Sequence, residues 1–169
     1  QQQADYEMDI RLDDENQRIY GEETITYTNN SPDRLSYLWL QLDQNRRAKD
    51  SDTYKTMPTE IGERGISFNQ LKSWETVSNF DGGFKIDHVK DANGKDLPYI
   101  INKTMMRVDL PTALMPGENV SFKVKWWYNI NDRMAMGGRA GFEYFEADDN
   151  YLYTIAQFFP RMCVYNDVY

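Results

Sequence analysis

The side chains that most often carry catalysis are scarce in this chain of 169 residues. It holds one histidine, His88, and one cysteine, Cys163. A Ser-His-Asp or Cys-His site would have to use His88, whose surroundings at 84–89 are typical of an ordinary strand. A zinc site needs several ligands at defined spacings, and no such spacing surrounds His88. We therefore assign no catalytic residue and no metal ligand to this chain.

Two segments that contain glycine could suggest a ligand-binding loop, but neither has the residue spacing that such a loop requires. Residues 134–141 are rich in glycine, yet they match neither the P-loop pattern GxxxxGKS/T nor GxGxxG. The acidic run 91–96 has oxygen-bearing side chains that do not follow the calcium-binding EF-hand pattern. Its Asn93 and Gly94 form the dipeptide most typical of a tight hairpin. We expect a loop in the first case and a hairpin turn in the second.

The formal net charge of −8 argues against nucleic acid or an anionic membrane surface as the main partner, because phosphate binding needs clustered Lys and Arg. The doublet Arg46 and Arg47 is flanked by Asp43, Asp50 and Asp52 in the sequence. No apolar stretch is long enough to span a membrane. A chain that begins with glutamine is compatible with removal of a signal peptide and export to the periplasm or cell envelope, but the compartment stays open.

Alternation of apolar and polar residues is the main structural signal. Residues 4–12 alternate with a period of two, which is typical of a strand with one buried face. Further strand-like runs occupy 18–28, 35–42, 84–90, 97–102, 106–110, 120–130, 142–145 and 151–155. The run 120–130 is the longest, so we expect it near the middle of a sheet. Its register should turn the alternate residues from Val120 to Ile130 into the core.

These runs predict an all-β fold, with sandwich-like or saddle-like sheets that are antiparallel or mixed. Residues 43–83 sustain no period and predict a long irregular insertion. The length fits a single domain, 1–169. The tail from residue 156 is dense in aromatic side chains and would leave a large apolar surface unless something packs on it. We therefore expect the natural chain to continue beyond Tyr169.

The order of these pieces resembles the N-terminal domain of M1-family (gluzincin) zinc aminopeptidases of the bacterial type. The matching pieces are the strand 6–12, the strand with Gly21 at its start, the turn 29–33, the strand 35–42, the hairpin 86–99, the turn 114–118, the strand 120–128 and the linking segment 157–162. The ordered series carries the likeness, since no single piece is specific. The insertion 43–83 matches least well.

The resemblance implies that the chemistry lies in another domain. The family's catalytic domain carries HExxH and a downstream Glu that hold Zn²⁺, together with a GxMEN segment that binds the substrate's amine. Neither motif occurs in this chain. The resemblance thus implies a non-catalytic domain that packs on its own zinc-containing catalytic domain. The parent protein would be a metallo-aminopeptidase, a hydrolase that acts on the N-terminus of peptide substrates.

The resemblance also points to one substrate-binding residue, Gln157. In the family a Gln or Glu near the end of this domain reaches the substrate's N-terminal ammonium, which needs acceptor oxygens. The family's second polar residue is replaced by Phe159 here, so the match is incomplete. The alternative is a glutamine that bonds the backbone of a domain-joining strand.

Two other functions fit the sequence. A free-standing β-sandwich could bind carbohydrate or protein, with aromatic residues such as Trp74, Trp127 and Tyr151 stacking on sugars. An M1-like scaffold that has lost its zinc motif could serve in assembly. The sequence beyond Tyr169 distinguishes all three, whereas substrate specificity and oligomeric state are open.

Overall fold

The computed structural model describes residues 2–56 and 65–165, so the apolar Met57 and Ile61 of the insertion and the end of the tail lie outside the described residues. The strands are β1 Gln3–Asp13, β2 Arg18–Thr28, β3 Leu35–Gln41, β4 Lys85–Asp91, β5 Tyr99–Asn102, β6 Met105–Leu114, β7 Asn119–Asn129, β8 Gly141–Phe145, β9 Asn150–Thr154 and β10 Arg161–Met162. The helices are a 3₁₀ helix at Asp43–Arg47, α1 Asp52–Thr56, α2 Phe68–Asn79 and α3 Arg133–Met136.

The predicted all-β fold is confirmed. Within the described ranges, one sheet has the order β1-β2-β7-β4, a second has the order β10-β3-β6-β5, and β8 pairs with β9. Every strand ladder is antiparallel. The insertion 43–83 contains the 3₁₀ helix, α1 and α2 where it is described, and Ser67 and Gln70 form a capping box at the start of α2.

The longest predicted strand lies where we expected it. β7 is an interior strand, flanked by β2 and β4. Its residues alternate in burial, with Phe122, Val124, Trp126 and Tyr128 buried on one face, while Val120 is half-buried. A strand that is paired on both sides and covered on one face buries every second side chain.

The first strand departs from its predicted pattern at its outer end. Tyr6 and Met8 are half-buried, but Ile10 and Leu12 remain 42% exposed. β1 is an edge strand, so only β2 flanks it. Residue Ile10 also stands opposite Gly21, which offers no side chain to cover it. The alternation in sequence therefore marks the strand and its face, whereas burial depends on what lies across from each residue.

The Asn-Gly turn forms as predicted, but the strand after it joins the other sheet. Leu97 N–H donates to the Val89 carbonyl at 2.8 Å, so the hairpin closes locally. From Tyr99 onward the chain pairs with β6 instead of β4. This crossing connects the two sheets, and both contribute to one core, in which Ile25 and Val124 join Leu40 and Met106.

Gly21 on β2 permits a close approach of the Trp126 ring on the neighbouring strand β7. A Cβ added at Gly21 would lie 2.3 Å from Cζ2 of Trp126, well inside van der Waals contact. The Trp126 ring is 1% exposed; it meets Phe84 edge-on with ring centroids 5.4 Å apart and stacks on Tyr128 at 6.0 Å. Strand pairing places Gly21 directly opposite Trp126. Because Gly21 has no side chain, it leaves the space into which the Trp126 ring packs.

One carboxyl group is enclosed in the core. Glu23 is fully buried on β2, opposite Met8 on β1 and Val124 on β7. Neither of its carboxyl oxygens has a hydrogen-bond partner in the part of the chain that the structure describes. Burial raises the pKa of Glu23 from 4.5 to about 9, because a charged carboxylate is poorly solvated there. The side chain is therefore protonated at neutral pH.

The Gly21→Ala substitution should destabilise the fold by about 1–3 kcal/mol, because the added methyl overlaps the buried indole. Replacing the indole by the smaller ring of Trp126→Phe should relieve part of that overlap. In urea unfolding, we expect Gly21→Ala to cost less in the Trp126→Phe background than in the wild type. Equal costs in both backgrounds would contradict the contact.

The stability of the fold should fall as pH rises because of Glu23. The pKa of Glu23 is raised in the folded state. Its contribution to the free energy of unfolding is therefore complete below the pKa of the unfolded state and is lost as the pH rises toward about 9. The slope is about 1.4 kcal/mol per pH unit. Glu23→Gln should remove this slope between about pH 5 and 8, as measured by urea unfolding. Glu22→Gln is the matched control, because the Glu22 carboxylate forms an ion pair with Lys123 on the outer face. Parallel curves for wild type and Glu23→Gln would refute the prediction.

Candidate functional site

Gln157 lies on the rim of a groove of about 1010 Å³. The groove is bounded by the 3₁₀ helix, by α2, by α3 with the glycine loop that follows it, and by the turn at Ala156 and Gln157. Gln157 adopts a positive φ of 52°, and its side chain is exposed. A non-glycine residue in this region is uncommon and is held there by its surroundings.

Hydrogen bonds from the 3₁₀ helix hold the Gln157 turn. Nε2 of Gln44 donates to the carbonyl oxygens of both Ala156 and Gln157 at 3.1 Å. The side-chain Oε1 of Gln157 accepts a hydrogen bond from Nη2 of Arg139 at 2.9 Å. An amide oxygen has two acceptor positions. The Gln157 oxygen can therefore accept a second donor from a ligand in the groove.

Asn45 anchors the 3₁₀ helix to the strands beneath it. Its side chain is 8% exposed; Oδ1 accepts from Phe84 N–H and Nδ2 donates to the Lys103 carbonyl, each at 2.8 Å. The preceding Leu42 N–H donates to the Thr104 carbonyl at 2.7 Å. These bonds fix the short helix that carries Gln44, Arg46 and Arg47, which all line the groove.

The groove is positively charged, in contrast to the chain as a whole. Among the lining residues that the structure describes, four side chains are cationic and one, Asp43, is acidic. The cations are Arg46, Arg47, Lys49 and Arg139. Asp43 is engaged by Nη2 of Arg161 at 2.8 Å. The groove therefore keeps an excess of positive charge in a chain with a net charge of −8.

The acids that flank the arginine doublet in sequence are directed elsewhere. Asp50 and Asp52 lie 3.9 and 3.3 Å from Nζ of Lys103. This arrangement could not be read from the sequence, where the same acids surround Arg46 and Arg47. Arg139 was missed as well, because it comes from the glycine-rich segment that we predicted only to be a loop. No local pattern marks its approach to the doublet.

Glycines allow the loop after α3 to pass close to the groove wall. Asp132 caps α3 by accepting from the N–H groups of Met134 and Ala135, and the helix ends at Gly137 with a φ of 69°. Nη2 of Arg47 donates to the Gly137 carbonyl at 3.3 Å. A Cβ at Gly138 would lie 2.7 Å from the same nitrogen. The segment 134–141 is thus not a loop throughout, since 134–136 belong to α3, and the glycines that follow serve close packing against Arg47.

The remaining residues singled out from the sequence lie apart from this groove. His88 is half-buried on β4 opposite Lys125. Cys163 is half-buried after β10, and burial raises the pKa of its thiol. Across residues 2–56 and 65–165, no three His, Cys, Asp or Glu side chains are grouped so that they could hold a metal ion.

The aromatic residues considered for sugar stacking stand on three different elements. Trp127 on β7 stacks on Tyr20 with centroids 6.0 Å apart, and the Arg18 guanidinium lies 5.0 Å from its ring. Tyr151 on β9 packs edge-on against Phe142 at 5.7 Å. Trp74 on α2 lines the groove and is 41% exposed. Two of the three rings are thus already in contact with neighbouring side chains.

None of the helices in the described part of the chain has the length and apolar character needed to cross a membrane.

Comparison with known proteins gives partial structural likenesses only. No protein-family model matches the chain, and no curated protein does. Among solved structures, the M1 zinc metallopeptidase from Deinococcus radiodurans aligns with 82% of this chain and 22% of its own, at 14% identity and a TM-score of 0.45. A mutant of that enzyme bound to a Tyr-Ser-Ala substrate aligns with 82% of this chain and 23% of its own, at 15% identity and a TM-score of 0.44. A two-domain M1 zinc metallopeptidase mutant bound to L-tryptophan aligns with 75% of this chain and 20% of its own, at 14% identity and a TM-score of 0.43. This chain therefore spans between a fifth and a quarter of the length of these proteins.

Asn45→Ala should destabilise the fold by about 2 kcal/mol, because it leaves the buried Phe84 N–H and the Lys103 carbonyl without partners. Urea unfolding measures the loss. Asn79→Ala, at the exposed end of α2, is the control and should change stability by less than about 0.5 kcal/mol. Equal stability of the two variants would show that Asn45 does not anchor the groove.

Proposed function

We propose that this chain is the non-catalytic N-terminal domain of an M1 zinc aminopeptidase of the bacterial type, and that it shapes the pocket for the substrate's N-terminus. The observation that carries this proposal is the placement of Gln157. The residue that the resemblance assigns to the substrate's amine stands exposed at the rim of a groove, on a turn held in place by Gln44.

The fold supports the proposal through the pieces that carry the resemblance. Gly21, at the start of the second matching strand, is required by the packing of Trp126. The turn near Pro116 returns the chain to the first sheet, where Gly117 N–H donates to the Asn29 carbonyl at 2.7 Å. We infer that the two sheets form a β-sandwich, since residues of both enter one core.

In this proposal the chain binds and orients the substrate but does not cleave it. The N-terminal ammonium would donate to Oε1 of Gln157, which already accepts one bond from Arg139. A neutral amide offers a directed acceptor without adding charge. The zinc ion would be held by the HExxH motif of a separate catalytic domain, where it would polarise the scissile carbonyl and activate water.

The surface beside the groove supports a packing partner of this kind. Phe68 on α2 is 90% exposed and Met134 on α3 is 78% exposed, and these two helices contact each other. A contiguous apolar patch that is left in water commonly marks a surface that another protein surface covers. We propose that the chain's own catalytic domain is that partner.

Reading the open reading frame beyond Tyr169 tests the family assignment. We expect it to continue into HExxH with a downstream glutamate, and the purified full-length product to release N-terminal residues in a zinc-dependent manner. A stop codon shortly after Tyr169 would instead favour a free-standing binding module. A long downstream region without the zinc ligands would favour an inactive scaffold.

Gln157→Ala in the full-length product should weaken substrate binding, because the ammonium loses an acceptor. We expect kcat/KM for aminoacyl substrates to fall by roughly tenfold, which corresponds to one lost hydrogen bond to a charged group. Gln3→Ala, on the exposed edge of β1, is the control and should leave both constants unchanged. Unchanged KM and kcat in Gln157→Ala would overturn the assignment of the amine contact to Gln157.

A further inference from the structure

We propose that the groove beside Gln157 binds acidic peptides, with Arg46 and Arg139 as the principal contacts for their carboxylates. This inference rests on the proposed function and deepens it, since it names the substrate class that the same groove would select. It concerns only residues of this chain and can be tested by binding alone.

Charge is the first argument. The groove wall presents Arg46, Arg47, Lys49 and Arg139, and the one acidic residue among its described lining residues, Asp43, is paired with Arg161. Guanidinium groups match carboxylates in shape and can donate two parallel hydrogen bonds. Elsewhere the chain is strongly acidic, with a net charge of −8, so an acidic ligand is repelled from most of the surface and attracted to this groove.

The size and lining of the groove favour a peptide over a small anion. Its volume of about 1010 Å³ lies at the upper end of the range of about 300–1,000 Å³ that is usual for organic ligand pockets. Apolar side chains share the lining with the cations, among them Trp74, Val77 and Met136. A free phosphate would use the charges but leave this apolar lining uncovered, whereas a short peptide can contact both.

The environment of Gln157 leads to the same ligand. Its oxygen lies 2.9 Å from Nη2 of Arg139, so an ammonium that bonds to Gln157 also approaches a guanidinium. Two like charges at that range repel each other. A carboxylate on the same ligand offsets the repulsion by pairing with Arg139. A peptide with an acidic residue at or near its N-terminus supplies both groups, the amine for Gln157 and the carboxylate for Arg139.

Isothermal titration calorimetry on the full chain tests the proposal with two matched peptides. The acidic probe is Asp-Ala-Glu-Ala, and the probe with uncharged side chains is Asn-Ala-Gln-Ala. Each peptide has a free amine and an amidated C-terminus. We expect the acidic peptide to bind at least about tenfold more tightly at low salt, and added salt to reduce the difference by screening. Equal affinity for the two peptides would overturn the proposal.

Charge removal identifies the groove as the binding site. The double variant Arg46→Gln with Arg139→Gln should abolish the preference for the acidic peptide. The control with the same change in net charge is Arg34→Gln with Lys95→Gln. Both control residues lie away from the groove. Arg34 lies just before β3, at the end of that strand opposite to the one that leads into the groove, and Lys95 lies in an exposed hairpin turn. The control should keep the preference. A groove variant that keeps it would overturn the assignment of these arginines.

Two further measurements keep the outcome decisive. Far-UV circular dichroism checks that each variant folds. If the double variant unfolds, the single variant Arg139→Glu, which reverses one exposed charge, replaces it.

A single-stranded oligonucleotide that binds as tightly as the acidic peptide would overturn the peptide assignment. Failure of peptide binding with an intact HExxH downstream would refute this inference alone, whereas loss of HExxH with intact peptide binding would refute only the family assignment.

Discussion

The packing of Trp126 over Gly21 is the constraint on which the core and, through it, the groove depend. β2 and β7 are the two interior strands of the first sheet, and their register places this glycine directly opposite this tryptophan. The indole fills the space that a side chain at residue 21 would occupy. Because protein cores are packed as densely as crystals of small molecules, neither residue can change size without moving its neighbours.

A continuous series of contacts leads from this tryptophan to the groove. The Trp126 ring packs edge-on against Phe84, whose backbone N–H donates to Asn45. Asn45 belongs to the 3₁₀ helix from which Gln44 holds the Gln157 turn and from which Arg46 and Arg47 line the groove. The groove is therefore built on the core, although each charged residue that the structure describes in its lining lies outside the strands.

Local periodicity made the strands predictable, since alternation of apolar and polar residues is a property of neighbouring positions. The same parity places Glu23 among the inward residues of β2, between Gly21 and Ile25, so its burial was in principle readable. The groove was not. Arg46 and Arg139 are far apart in the sequence, and the acids next to the doublet turn toward Lys103. Only the tertiary fold determines which charges meet. The exposure of Ile10 and Leu12 likewise depends on what lies across the sheet.

In the proposed aminopeptidase, this domain contributes a fixed acceptor and a basic groove beside an active site that another domain supplies. The most direct measurement is a crystal structure of the full-length product with a bound dipeptide that has an acidic first residue. We expect its ammonium nitrogen about 3 Å from Oε1 of Gln157, the usual distance for such a hydrogen bond, and its side-chain carboxylate on Arg139. A dipeptide whose amine lies away from Gln157, or a full-length product without a zinc-binding domain, would contradict this function.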